Sequence, residues 1–281
     1  MSSARILCAG IALAAALVVG CTNMPRGSQA VETHVVSAEE MKGYLKQAEQ
    51  GDATVQCWLG GCYYEGANGV AKNDVEAVRW FRKAADQGDA AAQWFLGACH
   101  ANGEGVPQDQ AEAVRWFRKS AEQGYSMGQS SLGTCYANGT GVDRDVAMAA
   151  TWWRKAADQG DADAQYDLGI CYANGIGLVK DREEAVKWWR KAAEQEYPAA
   201  QYNLGACYAN GTGVAQNAAE AVKWFRKAAD QGVPDAQYNL GVCYASGIGV
   251  ARNKAEAVKW HRLAADQGVE DAREALRKLG K

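Results

Sequence analysis

The sequence is poor in several residue types that mark particular classes of protein. It has four prolines and no polar low-complexity tract in 281 residues, which argues against long disorder beyond the first few dozen residues. Its formal net charge of −3 is close to balance, so no net field draws the chain to nucleic acid, and no nucleic-acid partner is predicted. Only three histidines (His34, His100 and His261) and no S-x-x-K motif are present, which leaves no Ser/His/acid set and no clustered metal ligands. We therefore predict no catalytic residue, no cofactor and no metal site.

The one long apolar run covers residues 6–19 and is short for a bilayer span. Arg5 precedes it, as in a secretory signal. Val18-Val19-Gly20-Cys21 is similar to a bacterial lipoprotein box, although Val18 stands where Leu is most favoured, and the resemblance implies cleavage before Cys21 and acylation of its thiol. Thr22 is not the Asp that retains lipoproteins at the inner membrane in enteric-type sorting, which favours the outer membrane of a Gram-negative cell, on its periplasmic or surface face. The alternative is an ordinary signal, or an uncleaved anchor, with Cys21 incidental.

Most of the remaining chain consists of near-copies of residues 200–232. A leucine marks the same position in each copy and recurs after 37 residues once and after 36 thereafter, at Leu59, Leu96, Leu132, Leu168, Leu204 and Leu240. A fixed period of this length indicates a solenoid, in which each unit buries its apolar face against its neighbours.

The spacing within one copy carries a family resemblance. Leu204-Gly205-x-x-Tyr208, a Gly211-x-Gly213-Val214 loop and Ala221-x-x-x-Phe225-x-x-Ala228 resemble the Sel-one-like repeat, a relative of the tetratricopeptide repeat. This resemblance implies an all-α fold, a right-handed α/α superhelical solenoid of six 36-residue helix-pair repeats. It also implies an extracytoplasmic protein–protein interaction scaffold.

The residues that typically start and end helices predict the domain organisation of the chain. Ser37 with Glu40 predicts a capping box that opens an N-terminal capping helix within 37–51, and a polar helix within 269–281 predicts a C-terminal cap. Within the repeats, first helices are predicted to begin at Asp or Pro and to end at glycine. Second helices are predicted to begin at Asn or Asp, with a capping-box glutamate three residues later in five of the six repeats. The predicted segments are a signal peptide at 1–20, a lipidated flexible tether at 21–36 and six repeats at 52–88, 89–124, 125–160, 161–196, 197–232 and 233–268. Fourteen helices follow if both caps form. The polar last helix argues against end-to-end polymerisation, so a monomer is predicted.

One cysteine recurs in every repeat, at Cys62, Cys99, Cys135, Cys171, Cys207 and Cys243, with Cys57 in addition. Equivalent residues on packed helices lie roughly 8–10 Å apart, beyond disulfide reach, so these cysteines are interpreted as small buried apolar residues. The ten tryptophans fall mainly beside the apolar stripe of each second helix and are interpreted as packing residues rather than stacking platforms.

The positions that vary between repeats suggest where a partner binds. In stacks of this type the first helix lines the concave face, and the residue before each marker leucine changes from aromatic to polar and acidic along the chain. These predicted partner-binding residues are Trp58, Phe95, Ser131, Asp167, Asn203 and Asn239. We expect them to lie beside the core rather than inside it, where a peptide or partner helix could follow the groove. The alternative is that they are tolerant surface positions.

Three function classes remain open. The first is a membrane-tethered extracytoplasmic scaffold that binds an unidentified protein or peptide. The second is a β-lactamase-like or penicillin-binding enzyme, the label that cysteine-rich relatives carry, against which the missing motifs argue. The third is a structural lipoprotein that binds peptidoglycan through exposed aromatic residues.

Overall fold

The structure is a computed structural model that describes residues 36–280. The predicted Cys21 lipidation site, the signal and most of the tether lie outside these residues. The described part is all-α, with fourteen helices and no strand, which confirms the predicted fold class. The helices are α1 (Ala38–Glu49), α2 (Ala53–Glu65), α3 (Asp74–Asp86), α4 (Ala90–Asn102), α5 (Gln110–Glu122), α6 (Ser126–Asn138), α7 (Val146–Asp158), α8 (Ala162–Asn174), α9 (Arg182–Glu194), α10 (Pro198–Asn210), α11 (Ala218–Asp230), α12 (Pro234–Ser246), α13 (Lys254–Asp266) and α14 (Glu270–Leu279).

Side-chain caps begin many of these helices. Ser37 and Glu40 form the predicted capping box at α1. The first helices α2, α4 and α8 begin after an aspartate whose carboxylate accepts a backbone amide of the first turn, whereas α10 and α12 begin at a proline. Each first helix ends at a glycine in the left-handed conformation, as predicted.

The second helices differ from the sequence-based expectation in one detail. Their Asn or Asp N-cap accepts an amide as expected, but the glutamate three residues later does not turn back to the N-cap amide. That amide already donates to the preceding first helix, for example from Asn217 to the Tyr208 carbonyl at 2.9 Å. The glutamate therefore points outward and pairs with the next cation, as Glu220 does with Lys223.

The described residues divide into two compact units, unit 1 at residues 36–152 and unit 2 at residues 153–280. Within each unit, consecutive helices pack against each other, as the helix pairs of an α/α solenoid do. The marker leucines are fully buried in both units. A glycine follows each of them and lets the second helix approach: a Cβ on Gly97 would lie 2.7 Å from the ring of Phe117. Only a residue without a side chain fits there.

Two columns of glutamine, which the sequence analysis did not recognise, connect the repeats. The first-helix glutamines are buried and donate across the repeat boundary to a carbonyl oxygen at the end of the preceding second helix, at 2.7–3.2 Å; they are Gln56, Gln93, Gln129, Gln165, Gln201 and Gln237. Within each unit their side-chain oxygens accept from a glutamine that follows the second helix of the same repeat, as from Gln195 to Gln165 at 2.8 Å; the acceptors are Gln56, Gln93, Gln165, Gln201 and Gln237. Each of these carbonyls also accepts a backbone amide from the turn after its helix, so the buried glutamine is a second donor that joins the end of that helix to the next repeat.

The cysteines and tryptophans occupy the positions that their spacing predicted. The six recurring cysteines are buried, and none of the seven cysteines between residues 36 and 280 forms a disulfide. Burial raises the pKa of the Cys207 thiol to about 11. Most of the tryptophans are buried, and a lysine three residues on covers at least four of those on the second helices, as Lys191 covers Trp188 with Nζ 3.9 Å from the ring centroid.

Candidate partner-binding site

Two of the six predicted partner-binding residues belong to the core of unit 1. Trp58 is 9% exposed and packs against Tyr44, with ring centroids 4.8 Å apart. Phe95 is 5% exposed and stacks on Phe81 at 4.8 Å with the planes 9° apart. The expectation that these positions lie beside the core is therefore wrong for both residues. A large aromatic ring at this position points toward the neighbouring helices, because it buries far more apolar surface there than it would at the edge of the repeat.

Three further predicted residues contact the preceding repeat. Ser131 accepts a hydrogen bond from Trp94 Nε1 at 2.9 Å in unit 1. In unit 2 the side-chain amides of Asn203 and Asn239 hydrogen-bond the hydroxyls of Tyr166 and Tyr202. In each pair the aromatic residue lies two positions before one marker leucine, and the polar residue lies one position before the next. The polar side chains at these positions therefore help to join repeats, whatever else they bind.

Asp167 is the one predicted residue with an unusual charge environment. Its carboxyl group is half-buried on α8, and its pKa is raised to about 7, first by desolvation and then by the charges of Asp163 and Asp161. The Tyr197 hydroxyl hydrogen-bonds Asp163, and its ring lies 5.0 Å from that of Tyr166. The result is an acidic and tyrosine-rich surface on the first helices of unit 2.

The first-helix face of unit 2 also carries a groove of about 220 Å³. Its walls come from α8 and α9 of the fourth repeat and from α10 and the following loop of the fifth. Asn203 is the predicted residue that lines it, while Asp167 and Asn239 do not. The structure therefore does not bring the six predicted residues to one groove, and unit 1 contributes none of the lining.

The groove has an apolar floor and polar sides. Ala185, Trp189 and Ala206 supply apolar surface, and Trp189 Nε1 donates to the Tyr166 carbonyl at 3.3 Å, which fixes its indole. The side chains of Arg182, Asn203, Asn210 and Thr212 provide hydrogen-bonding groups around this floor. Amide side chains offer both donors and acceptors, and the guanidinium group offers donors only, so the groove can pair with the polar groups of an extended chain.

Arg182, Asn210 and Thr212 were not among the predicted partner-binding residues. Asparagines precede the end glycines of several first helices, where local capping is the expected role, and Asn174 does donate to the Ile170 carbonyl at 3.1 Å. Its counterpart Asn210 is exposed and lines the groove instead. The signal available in the sequence was the seven-residue spacing between Asn203 and Asn210, which places both on one side of a helix.

A comparison with protein-family models identifies the family of the chain. The model described as the Sel1 repeat matches six consecutive segments, at residues 53–89, 90–125, 126–161, 162–197, 198–233 and 234–269. The chain belongs to the Sel1 repeat family. Sel1 repeat proteins generally serve as protein–protein interaction scaffolds.

Two solved structures of similar sequence agree with this assignment. One is a protective antigen present in uropathogenic Escherichia coli strains that displays an SLR fold; it is 38% identical with a TM-score of 0.79, over 84% of this chain and 50% of that one. The other is a Sel1 repeat protein from Oxalobacter formigenes, 34% identical with a TM-score of 0.74, over 94% of this chain and 74% of that one. This Sel1 repeat protein thus spans half the length of the Escherichia coli antigen. No curated protein matches the sequence.

We expected no G-x-S-x-G motif in the sequence, but one segment of this Sel1 repeat protein matches it. Residues 124–128 read G-Y-S-M-G and fit the G-x-S-x-G pattern, whose serine needs a turn between a strand and a helix. Ser126 instead begins α6, which follows another helix. Among the described histidines, His100 Nε2 lies 3.1 Å from Arg82, and His261 lies in the core. Between residues 36 and 280 no cluster of His, Cys, Asp and Glu could hold a metal ion.

Within the described residues of the Sel1 repeat protein, every helix is too short or too polar to pass through a bilayer.

Proposed function

We propose that the protein is a membrane-tethered extracytoplasmic scaffold that binds an extended segment of a partner protein on the first-helix face of unit 2. The groove beside Asn203 and Asn210 is the observation that carries this proposal. The lipoprotein-like sequence that ends at Cys21 supports the tether. Membership of the Sel1 repeat family supports the scaffold role.

In unit 2 the first-helix face and the second-helix face of the repeats differ in their charged residues. The first helices α8, α10 and α12 contain no lysine or arginine, and α8 and α12 contain aspartates, whereas the second helices carry several charges of each sign. On the second helices the charges pair along one helix, as Lys187 and Glu184 do at 3.0 Å. A solvated helix surface is typically mixed and self-paired in this way, so the first-helix face is the more distinctive surface.

The size and chemistry of the groove favour a peptide over a small metabolite. It is a shallow trough rather than an enclosed cavity, and its apolar floor is short. Arrays of helix pairs commonly bind extended peptides or partner helices along such surfaces. The proposed occupant is therefore a peptide segment, with Asn203 and Asn210 as its polar contacts.

Site-specific photo-crosslinking in the native cell tests this proposal. A benzophenone side chain at position 210 should capture a specific protein, and the same probe at Lys223, which is exposed on the second helix α11, should not. Asn210→Ala should reduce capture by a probe at position 206, whereas Asn174→Ala, the equivalent change one repeat earlier, should not. Equal capture from positions 210 and 223, or capture that survives Asn210→Ala, would exclude this groove.

The tether is tested separately. Cys21→Ser should release the protein from the membrane fraction if acylation of Cys21 anchors it, and metabolic labelling with a fatty-acid analogue should mark the unsubstituted chain alone. If the Cys21→Ser chain remains membrane-bound and the original chain is unlabelled, the lipoprotein assignment is wrong while the groove proposal stands.

A further inference from the structure

Unit 2 exposes apolar side chains along one row of loops. Val179 is 88% exposed, Ile248 is 51% exposed and Ile176 is 39% exposed. All three lie in the loops that join the first helix of a repeat to its second, at residues 175–181 and 247–253. Thr212 occupies the corresponding place in the loop between them. Ile176 and Ile248 thus recur at equivalent positions of their loops.

These loops form a continuous edge. Gly213 of the fifth repeat packs against the start of α9, because a Cβ there would lie 2.2 Å from the Arg182 carbonyl oxygen. Gly249 of the sixth repeat meets the start of α11 in the same way, 2.2 Å from the Ala218 carbonyl oxygen. Each loop therefore rests on the preceding repeat. We call residues 175–182, 211–216 and 247–254 the loop edge.

Cations accompany the apolar residues on the loop edge. Lys180, Arg182, Arg252 and Lys254 are exposed, and within residues 36–280 none of the four forms an ion pair. Asp181 is the one acidic residue of the loop edge, so the positive charge of these four side chains is offset only in part. Its carboxylate accepts the backbone amides of Glu183 and Glu184, both at 3.0 Å, as the N-cap of α9. The N-termini of the second helices lie at the same edge and add positive ends of helix dipoles.

The equivalent loops of unit 1 have a different character. Glu104 and Thr140 stand where the fourth and sixth repeats have Ile176 and Ile248, and Asp143 stands where the fourth has Val179. The Glu104 carboxylate accepts a hydrogen bond from the Tyr64 hydroxyl at 2.7 Å, so this position accommodates an acid in a folded repeat. Apolar side chains are therefore not a requirement of the loop.

We propose that the loop edge of unit 2 is a contact surface for an anionic lipid membrane. Apolar side chains that enter the headgroup region, flanked by lysine and arginine that meet lipid phosphates, are the elements of interfacial binding. A protein partner fits this edge less well. Its apolar residues are separated by polar loop positions rather than joined in one patch, and lysine is depleted from the core of protein interfaces.

Hydrogen–deuterium exchange of the full chain tests the inference, since its readout is local to each loop. The chain is mixed with vesicles of phosphatidylcholine containing 30% phosphatidylglycerol, and with vesicles of phosphatidylcholine alone. We expect exchange in residues 175–182 and 247–254 to slow several-fold with the anionic vesicles and to recover in high salt. Residues 103–109 of unit 1 should be unchanged and serve as the internal reference.

Matched variants borrow residues that the chain itself uses. Ile176→Glu with Ile248→Glu introduces the residue of the second repeat and should abolish the protection. Ile176→Thr with Ile248→Thr introduces the residue of the third and fifth repeats and should weaken it less. Circular dichroism confirms that each variant is folded.

Two results would overturn the inference. The first is unchanged exchange in both loops while vesicle flotation shows that the chain is bound through its N-terminal region. The second is protection that depends on protein concentration without vesicles, which would identify a second copy of the chain as the occupant. Neither result depends on the groove at Asn210, so the failure of one proposal is distinguishable from the failure of the other.

Discussion

The side-chain amide of Gln231 donates to the side-chain oxygen of Gln201 at 2.9 Å, while Gln201 itself donates to the Ala193 carbonyl at 3.2 Å. Gln201 is 2% exposed, so both of its bonds lie away from competing water. One buried amide thus connects the end of α9 to the residue that follows α11. The same arrangement recurs in both units and makes each repeat dependent on the one before it.

Gln201→Leu should therefore destabilise the protein by about 1–3 kcal/mol, because it removes both of the buried hydrogen bonds that Gln201 makes between repeats. Gln231→Ala removes two bonds, to Gln201 and to the Glu196 carbonyl, both at 2.9 Å, but from an exposed side chain, and should cost less, about 0.5–1.5 kcal/mol in all. Denaturant unfolding of both single variants and the double variant measures the coupling between the two side chains. Strictly additive losses would show that the two glutamines do not act as a unit.

Gly205 tests the close approach of the two helices within a repeat. A Cβ at this position would lie 2.7 Å from Phe225 Cδ1, so Gly205→Ala forces the ring or the helix to move. Overpacking of this kind typically costs about 1–3 kcal/mol. Thermal and denaturant unfolding measure the loss.

Gly43 provides the control for this substitution. It lies inside α1, and a Cβ there would meet nothing within 4 Å. Gly43→Ala should raise stability by about 0.5–1 kcal/mol, because alanine is the better helix former. A loss of equal size at both sites would mean that the cost at Gly205 does not come from the contact with Phe225.

Local signals within one repeat were sufficient to predict most of the fold. The recurrence of Leu204 and Gly205, the Asp and Pro starts of the first helices and the glycine ends all belong to a single helix pair, so their meaning is visible in a short window. The capping glutamates were predicted wrongly because the N-cap amide of Asn217 bonds to the Tyr208 carbonyl, a contact with the preceding helix that spacing alone does not reveal.

The candidate site was harder to predict because its residues act between repeats. Asn203 hydrogen-bonds Tyr166, 37 positions earlier, and Phe95 stacks on Phe81 of the preceding repeat. Whether a side chain before the marker leucine points into the core or toward a groove depends on its own size and on that distant partner. The column of positions could be found from the sequence, but the direction of each side chain could not.

Asp167 should make stability depend on pH above the acid range. Its pKa is raised from an ordinary value of 3.8 to about 7 by desolvation and by Asp163 and Asp161, so the folded state holds the proton more tightly than the unfolded state does. The contribution of protonated Asp167 to folding stability is fully present below pH 4 and is lost as the pH rises through about 7. Asp167→Asn, which introduces the residue of the fifth and sixth repeats, should stabilise the protein on the order of 1–2 kcal/mol at pH 8.

The same Asp167→Asn variant should differ little in stability from the original chain at pH 4, where the carboxyl group is protonated. Unfolding in urea at the two pH values measures both differences. Asp163→Asn should give a smaller gain at pH 8, because it removes one of the charges that raise the pKa of Asp167 but not the desolvation. A gain from Asp167→Asn that is equal at pH 4 and pH 8 would show that ionisation of this carboxyl is not its source.

His261 should make stability depend on pH in the opposite direction. It stands where the other repeats have phenylalanine or tryptophan, is 1% exposed, and its Nδ1 is buried without a hydrogen-bond partner. Burial lowers its pKa below the ordinary 6.5, so the unfolded state binds the proton more readily. The contribution of neutral His261 to folding stability is therefore fully present above pH 6.5 and falls as the pH drops toward the folded-state pKa.

His261→Phe introduces the residue that the fifth repeat places beside the same glycine, and it removes both the titration and the unpaired nitrogen. We expect it to raise the melting temperature by several degrees at pH 7.5, since a gain of about 1 kcal/mol corresponds to roughly 2–4 °C in a chain of this size. The gain should grow as the pH falls to 5. His100→Tyr, which restores the tyrosine that other repeats pair with arginine, controls for the second described histidine. If the original chain and His261→Phe lost stability in parallel between pH 7.5 and pH 5, the pH dependence would come from groups other than this imidazole.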